Sequence, residues 1–355
     1  MLDQLDDPIP YTLPDDMLAG ARSRGTHLRR RRRAGRLLVA VPILVVLVLG
    51  AGAAWVDHRT NQVDRVEIAA GVLSPVVAGE PYNVLVVGVD APPLDGQPPV
   101  DGQRSDTQMV VRVDPTAGTV SVLALPRDLV LPGDTERLNT KIGEGGPDAL
   151  ISAIHRGLGI PIAHYVAIDF HGFVRLVDAA GGVSVQSPVA IRDDLTGLQL
   201  TEGCQHLDGA STLALVRSRH LEYQSQGRWN ADQSGDLGRM RTEQVVVPLV
   251  LSQLQHRGSD PTTFEQLLTV FADNTTVDTG FSRGALAELA HWGQGIDPGQ
   301  IDVQTLPVIP FTAPNGAAVL RPAENAPRVV DGFQQGHPVP TAADSPGSNL
   351  ISACT

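Results

Sequence analysis

The sequence predicts an α/β fold preceded by one N-terminal transmembrane helix. Apolar strand-like runs alternate with amphipathic helix-like stretches between about residues 81 and 311, a pattern typical of a sheet covered by helices. The strongest strand signal is the Val- and Leu-rich run at 83–90, whose density indicates burial on both faces of the sheet. The transmembrane helix is predicted by an uncharged apolar run at 37–56, which is long enough to cross a bilayer.

Local patterns predict the remaining elements in chain order. A hairpin is expected where 108–113 and 119–125 flank a turn that contains Pro and Gly. Two more strands are expected at 163–170 and 301–306. Apolar residues at helical spacing predict helices at 147–158, 173–180, 239–256, 261–271 and 282–292.

Composition divides the chain into five segments. The last is rich in Pro, Gly, Ala and Asn, which predicts a tail or a loosely packed extension. The segments are a disordered Arg-rich tail at 1–36, the anchor at 37–56, a stalk at 57–80, the α/β domain at 81–311 and the C-terminal tail at 312–355.

The charges around the apolar run predict its orientation. Eight arginines precede it within residues 22–36, so the positive-inside rule leaves the N-terminus in the cytoplasm and the α/β domain outside the cell. A cleaved signal peptide is the alternative, with Ala51-Gly52-Ala53 as a processing site. The long run and the 36 residues before it favour a retained anchor. Residues 1–36 hold eight arginines and five aspartates, a net charge of +3, so the rest of the chain carries −15 of the total −12. The exported domain is therefore acidic and poorly suited to nucleic acid.

Two cysteines, Cys204 and Cys354, lie far apart in the sequence. Outside the membrane they are able to form a disulfide that ties the tail to the domain. A free thiol at Cys354 is equally compatible with the sequence.

Two carboxylates suggest a metal site. Asp90 closes the apolar strand, and Asp106 lies in the segment Arg104-Ser105-Asp106-Thr107. Open α/β sheets bind ligands beyond the carboxyl ends of their strands, and two carboxylates brought together there need a cation between them. Oxygen ligands of this kind suit Mg²⁺, which binds phosphate alongside one or two carboxylates. Either aspartate alone would be read as a turn or cap residue, so the hypothesis rests on their combination.

Basic motifs complement these carboxylates. Arg127 follows a hairpin strand, and Arg217 and Arg219 follow an apolar run that would point both side chains the same way if it were extended. Paired guanidinium groups bind phosphate oxygens, although each arginine alone would be a solvated surface group. A third motif, 236–241, adds Arg239 and Arg241.

Lys141 is the single lysine of the chain and stands beside glycines. A compact ammonium binds phosphate as a point charge where the arginine fork does not fit. Chance retention of one lysine is an equally good explanation.

Other reaction classes lack their motifs. The chain has no Gly-x-Ser-x-Gly elbow, no HExxH or CxxC zinc motif and no Walker loop. ATP is not available outside the membrane, so a phosphate site on an anchored exported domain must take its donor from the membrane. We expect a lipid diphosphate.

This set of motifs resembles the LytR-CpsA-Psr family of cell-wall glycopolymer ligases. The resemblance covers 83–244, a little under half of the chain. Its motifs are NVLVVGVD at 83–90, RSDT at 104–107, PRD at 126–128, Lys141-Ile142, Gly145-Gly146, His164-Tyr165, Phe173 with VDAAGGV at 177–183, LDG at 207–209, VRSR at 216–219 and GDLGR at 235–239.

The resemblance implies an α-β-α sandwich with a central mixed sheet and an apolar tunnel for a polyprenyl diphosphate. It implies that Asp90 and Asp106 hold Mg²⁺. The residues that would surround the diphosphate or act on it are Arg104, Asp106, Arg127, Lys141, Arg217, Arg219, Arg239, Arg241 and Gln244.

The implied reaction moves a glycan with its linking phosphate onto a peptidoglycan hydroxyl, with Asp106 as the first choice to accept the proton. Two alternatives are a polyprenyl pyrophosphatase and a non-catalytic envelope protein that binds lipid-linked glycan and regulates or scaffolds wall synthesis. The chain departs from the family pattern at Pro92, Gly143, Thr242 and Glu243, and the last two put part of the phosphate cage in doubt.

Overall fold

The structure is a computed structural model. The predicted cytoplasmic tail and anchor, residues 1–56, lie outside the residues it describes. Within the described part, no helix has both the length and the apolar character needed to cross a bilayer. The described residues are 63–89, 105–232, 238–239, 241–242, 245–246, 249–250, 253–254, 257, 261–282, 285, 302–314, 316–337 and 350–354.

Sixteen strands are assigned within these ranges. In chain order they are β1 (Asp64–Val66), β2 (Tyr82–Val89), β3 (Ser105–Asp114), β4 (Thr119–Leu125), β5 (His164–Asp169), β6 (Val183–Ser187), β7 (Ile191–Asp193), β8 (Leu198–Leu200), β9 (Gly203–Leu207), β10 (Glu222–Ser225), β11 (Arg228–Ala231), β12 (Thr275–Asp278), β13 (Asp302–Thr305), β14 (Val308–Thr312), β15 (Ala318–Pro322) and β16 (Ser352–Ala353).

Five α-helices have defined bounds among the described residues. A short 3₁₀ turn, Leu138–Thr140, precedes the first of them, and the described residues between 238 and 257 are also helical. The helices are α1 (Lys141–Leu158), α2 (Phe170–Ala179), α3 (Gly209–Arg217), α4 (Pro261–Asn274) and α5 (Ala326–Gln334).

A seven-stranded mixed sheet forms the centre of the molecule, in the order β1-β12-β5-β2-β3-β4-β13. β2 pairs in parallel with β5 and antiparallel with β3, and β4 continues the antiparallel meander. The predicted hairpin is therefore confirmed. The remaining strands form three smaller antiparallel sheets, β11-β10-β7-β8, β14-β15 and β16-β6-β9.

Helices cover both faces of the central sheet. Alternate residues of β2 belong to different apolar clusters, because successive side chains of a strand point to opposite faces. Val84 and Val86 pack in the cluster that contains α2, α3 and α4, whereas Leu85 and Val87 pack in the cluster that contains α1 and α5. These two layers of helices on one mixed sheet confirm the predicted α/β fold.

Helix α1 shows how glycine and proline shape the chain near the sheet. Gly145 and Gly146 leave helical geometry, and Gly146 takes φ 65° and ψ −160°, so the single helical turn before them is kinked from the rest. The regular part begins at Pro147 and ends at Gly159, which caps it at φ 68°. Both ends match the prediction, because Pro favours the first helical turn and Gly the left-handed cap.

Two segments predicted to lie outside the domain are folded into it. The predicted stalk, 57–80, contributes β1, which pairs in parallel with β12 at the sheet edge. The predicted tail contributes α5, whose buried Val329, Val330 and Phe333 pack in the sheet's second cluster. Composition missed both because a three-residue strand and one amphipathic helix gain their stability from tertiary packing.

The described C-terminus is tied to the domain by a disulfide. Cys204 and Cys354 are bonded, with Cα atoms 5.6 Å apart across 150 residues of chain. β16 adds to β6 as an edge strand, and Ile351 is buried in the first cluster. The structure thus selects the paired alternative, since the docked strand brings the two thiols together.

Candidate functional site

One edge of the central sheet gathers the ends of several strands. Gly88 and Val89 of β2 pair with Ile168 and Asp169 of β5, so these parallel strands end side by side. β4 runs in the same direction as β2, and its last residue pairs with Gln108 near the start of β3. Residues that follow β2, β4 and β5 therefore emerge at one edge, as the strand-end rule predicts for ligand sites.

A cavity of about 220 Å³ opens at this edge. One part of its wall is basic and the other is apolar, so the cavity suits a ligand with an anionic head and a hydrocarbon tail. The wall consists of Val86, Gly88, Thr107, Met109, Arg127, Ile168, Asp169, Phe170, Phe173, Leu213, Val216, Arg217, Arg219 and Arg239. Four predicted phosphate-binding arginines, distant in the sequence, thus converge.

Helix α3 carries Arg217 to the cavity. Asp208 caps the helix by accepting the Ser211 N–H at 2.8 Å, and this bond holds the pKa of Asp208 below its usual value. Gly209 lets α3 approach α2, because a methyl group there would overlap the Val174 carbonyl oxygen. The helix ends at Arg217, so the extended conformation considered for this segment is wrong at its first arginine.

The guanidinium of Arg217 lies over the ring of Phe170, with Cζ 4.3 Å from the ring centroid. This cation–π contact holds the exposed side chain at the cavity wall without neutralising its charge. No carboxylate among the described side chains forms an ion pair with Arg217. Its charge therefore remains directed at a ligand.

Asp128 lies among three arginines, two of which line the cavity. This buried carboxylate, which follows Arg127, lies 3.3 Å from Arg219 Nη2, 3.6 Å from Arg137 Nε and 3.8 Å from Arg127 Nε. Arg127 and Arg239 are themselves buried, at 8% and 4% exposure. The carboxylates of Asp128 beside the wall and Asp169 in it do not offset the four arginines that line the cavity, so the described wall is net positive, which favours a multiply charged anion.

Asp169 is a cavity residue that the motif reading missed. It ends β5 and caps α2 by accepting the Gly172 N–H at 2.6 Å, which is why α2 begins at Phe170, three residues before the predicted start. The available signal was the one used for Asp90, a carboxylate that closes an apolar strand. The resemblance implied an apolar tunnel without naming its residues, and neither Phe170 nor Thr107 was assigned a role in the site.

The two predicted metal ligands fall at the edge of the described residues. Asp90 and Arg104 lie outside them, and the side chain of Asp106 is not described. The backbone of Asp106 belongs to β3, where the pairing partner shifts from Thr107, opposite Gly88, to Ser105, opposite Val89. Asp106 is thus the extra residue of a β-bulge, a feature that often re-aims a side chain next to an active site.

The chemistry of the two predicted donors is that of a magnesium site. In the sequence, Asp90 directly follows Val89, and Asp106 directly follows Ser105, the residue paired with Val89. Carboxylate oxygens are the donors that Mg²⁺ takes in phosphate-binding sites. Among the side chains that the structure does describe, no three His, Cys, Asp or Glu residues cluster as metal ligands.

Lys141 does not line the cavity. Its ammonium lies 2.8 Å from Asp134 Oδ1 and 3.0 Å from Glu144 Oε2. Burial lowers the pKa of Lys141, but the hydrogen bonds and charges of these two carboxylates outweigh burial and raise it. The ammonium is therefore already neutralised by the protein.

The third basic motif is only partly described. Arg239 lines the cavity, whereas Arg241, which is helical and half-buried, does not. Thr242, one of the departures from the family pattern, is buried and donates its hydroxyl to the Gly238 carbonyl. Glu243 and Gln244 lie outside the described residues.

Solved structures share this architecture. The LytR-Csp2A-Psr enzyme from Actinomyces oris superposes with a TM-score of 0.64 at 32% identity, covering 76% of this chain and 95% of that chain. Bacillus subtilis TagV superposes with a TM-score of 0.57 at 23% identity over 74% of this chain and 100% of its own, a likeness of fold.

Sequence relatives carry transferase names. The polyisoprenyl-teichoic acid–peptidoglycan teichoic acid transferase TagU of Enterococcus faecalis is 28% identical over 253 residues, covering 69% of this chain and 77% of that protein. TagU of Halalkalibacterium halodurans is 33% identical over 200 residues, covering 55% and 59%. The model of the LytR_cpsA_psr family matches residues 49–328. The chain therefore belongs to the LytR-CpsA-Psr family.

Proposed function

We propose that this chain is a phosphotransferase that moves a glycopolymer from a polyprenyl-diphosphate carrier onto peptidoglycan during cell-wall assembly. The observation that carries the proposal is the cavity with four arginines on one side and an apolar wall on the other. A lipid diphosphate has this same division between an anionic head and a hydrocarbon tail. The names of the TagU relatives support the same class of reaction.

The arginines bind and orient the diphosphate. Arg127, Arg217, Arg219 and Arg239 present donors to its oxygens, and guanidinium forks match such oxygens in pairs. They also stabilise charge on the transferring phosphoryl group, which is the main task of a protein in this chemistry. Of the other predicted contacts, Arg104, Arg241 and Gln244 remain candidates. We assign Lys141 a structural role instead, an assignment that its ion pairs with Asp134 and Glu144 support.

The apolar wall takes the first isoprenoid units of the carrier. Met109, Ile168, Phe173 and Leu213 line this side, and burial of hydrocarbon there contributes roughly 25 cal/mol per Å². Fixing the lipid holds the diphosphate against the arginines and excludes water from one side of it.

The reaction is a displacement at the phosphorus that carries the glycan. A peptidoglycan hydroxyl oxygen bonds to this phosphorus, the bond to the bridging oxygen breaks, and polyprenyl monophosphate leaves with the bonding electrons. Asp106 accepts the hydroxyl proton in our assignment. Asp90 and Asp106 would hold Mg²⁺, which neutralises phosphate charge when bound.

Location follows from the sequence in this proposal. The run 37–56 anchors the chain as a single-pass membrane protein with its N-terminus in the cytoplasm. The α/β domain is then extracytoplasmic, where the membrane supplies the lipid-linked donor and the wall supplies the acceptor.

Product analysis tests the proposal. The full-length chain in detergent is incubated with a short-chain polyprenyl-diphosphate glycan labelled in both phosphates, Mg²⁺ and peptidoglycan fragments. We expect labelled phosphate to bridge glycan and peptidoglycan, with labelled polyprenyl monophosphate as the second product. In the Asp106→Ala variant we expect the response to a Mg²⁺ titration to disappear.

Two other products would overturn the proposal. Free glycan phosphate in place of the conjugate would identify a pyrophosphatase that uses water as acceptor. Bound but unchanged lipid would identify a non-catalytic envelope protein that binds lipid-linked glycan.

A further inference from the structure

The segment between Arg217 and Arg219 is fixed by contacts to a part of the chain with no predicted role. Ser218 caps α3 in an extended conformation, φ −65° and ψ 124°, and is completely buried. Because this residue separates two cavity arginines, the path of the main chain from 218 to 220 decides where the Arg219 side chain starts.

Asp193, the last residue of β7, holds that path. Its carboxylate is 1% exposed, and Oδ2 accepts the N–H groups of Arg219 at 3.1 Å and His220 at 3.0 Å. The other oxygen, Oδ1, accepts the Leu195 N–H at 3.0 Å. No cation among the described side chains pairs with Asp193, so within the described part of the chain its charge is satisfied by backbone donors.

The two oxygens serve different purposes. The Oδ1 contact reaches two residues ahead and closes a local turn of the kind that aspartate commonly makes. The Oδ2 contacts reach residues that lie 26 and 27 positions along the chain, too far away to belong to a local turn. Charge-assisted bonds to backbone N–H groups are about twice as strong as neutral ones, so Oδ2 is a firm anchor for the arginine segment.

Hydroxyl groups make a second tie between the same two segments. Thr196 Oγ1 lies 3.0 Å from Ser218 Oγ, which donates to the Ala214 carbonyl at 2.9 Å. The Thr196 N–H is in turn bonded to the Asp193 carbonyl at 3.2 Å. The turn after β7 and the end of α3 are therefore joined at two points, on either side of the Arg219 N–H.

We propose that Asp193 is a positioning residue for phosphoryl transfer, acting through the main chain of Arg219. Asp128 holds the guanidinium of that arginine, and Asp193 holds its backbone, so the side chain is fixed at both ends. The inference rests on the proposed function, in which Arg219 contacts the diphosphate. A displacement of about 1 Å in such a group lowers a rate roughly 10²-fold.

A double-mutant cycle tests the assignment. Turnover and KM for the lipid-linked donor are measured for the full-length parent, Asp193→Ala, Arg219→Ala and the double variant, and the melting temperature of each is recorded. We expect Asp193→Ala to lower kcat by roughly 10- to 100-fold in the parent, and by less than about 3-fold when Arg219 is already absent. A general loss of packing would instead cost the same factor in both backgrounds, and that result would overturn the assignment.

Milder and matched variants complete the design. Asp193→Asn keeps one acceptor oxygen and is used if the alanine variant does not fold; the same cycle should show a loss of roughly 3- to 10-fold in the parent alone. Asp194→Ala changes the exposed neighbouring aspartate and should retain parental turnover. Parental kcat in both Asp193 variants would also overturn the assignment.

A binding measurement separates this inference from the proposed function. The affinity of the same four variants for geranylgeranyl diphosphate is measured by calorimetry. If the parent binds geranylgeranyl diphosphate but transfers nothing, the proposed function fails. The role of Asp193 is then decided from the affinities: Asp193→Ala should weaken binding in the parent but not when Arg219 is already absent. A parent with neither binding nor transfer would overturn both.

Discussion

Arg217 and Lys141 differ in how the protein uses a positive charge. Both are flagged by the sequence as phosphate ligands. Lys141 is buried against Asp134 and Glu144, so these two carboxylates neutralise its charge. Arg217 rests on the ring of Phe170 and faces the cavity, so its charge is available to a ligand.

The difference shows that the partners of a cation, rather than its residue type, decide whether its charge is available to a ligand. A carboxylate at 2.8–3.0 Å neutralises an ammonium, whereas an aromatic ring orients a guanidinium and leaves its charge in place. No pattern within the sequence alone distinguishes these two settings, because Asp134 and Phe170 are as unremarkable in sequence as their neighbours.

Replacement of Arg217 should give the largest effect. We expect Arg217→Ala to lower turnover by roughly 10² or more, because it removes a charge that stabilises the transferring phosphoryl group. Folding should stay near normal, since the side chain is exposed. Turnover is measured in the transfer assay and folding by thermal melting.

Arg175→Ala is the matched control for this variant, because it removes an exposed arginine from the neighbouring helix α2. It should retain parental turnover. If Arg217→Ala behaves like Arg175→Ala, Arg217 has no role in the reaction and the contrast with Lys141 disappears.

Replacement of Lys141 should affect stability instead of turnover. Lys141→Ala leaves Asp134 and Glu144 without their cation, and we expect a loss of about 1–3 kcal/mol in the free energy of unfolding. Turnover of the folded variant should stay within about 3-fold of the parent. A loss of turnover as large as that of Arg217→Ala would restore Lys141 to the diphosphate site.

The pH dependence of this stabilisation has a definite sign. The pKa of Lys141 is raised above 10.5 in the folded chain, so its contribution is complete below that value and is lost as the pH rises through the folded pKa. The difference in unfolding free energy between parent and Lys141→Ala should therefore shrink at strongly alkaline pH. Arg156→Ala, an exposed change on the same helix, should show no such difference.

Replacement of the helix cap Asp208 should have the smallest effect. Asp208→Ala removes the bond to the Ser211 N–H at the start of α3, at a cost of about 1 kcal/mol. Because the folded pKa of Asp208 is lowered, the carboxylate stabilises the protein above its unfolded pKa and ceases to do so as the pH falls through the folded value. The difference in melting temperature should thus be present at pH 7 and vanish in acid.

Glu202→Ala is an exposed acidic control for that comparison. A difference in melting temperature between the parent and Asp208→Ala that is larger in acid than at pH 7 would contradict the assignment of Asp208 as a helix cap. Turnover of Asp208→Ala should remain parental. This result would show that the charge of Arg217, rather than the stability of the helix that carries it, supports turnover.

Much of the central fold is predictable from sequence because its signals are local. The dense apolar run of β2, the Pro and Gly bounds of α1 and the hairpin of β3 and β4 each need only neighbouring residues. β1 and α5 were misassigned because their stability comes from partners far along the chain.

The sequence also predicted only some of the site residues, in part because others have no local signal. The rule that ligands bind at strand ends led to the prediction of Asp90, which lies outside the described residues, and Arg127, also predicted at a strand end, lines the cavity. The rule was not applied to Asp169, which closes β5 in the same way. The alignment of Arg217 with Arg219 was expected only on condition that their segment were extended, whereas α3 continues through Arg217. Asp193 carries no motif, since its role depends on two N–H groups more than 25 residues away.

The amino-acid sequence by itself determined the α/β class, the family and the set of charged residues available for phosphate chemistry, because these follow from periodicity and ordered motifs. Tertiary structure alone decided which cations face the cavity, which are neutralised, and whether Cys204 meets Cys354. The physical reason is that electrostatic effect and covalent pairing depend on distances of a few ångströms between residues that the chain separates by as many as 150 positions.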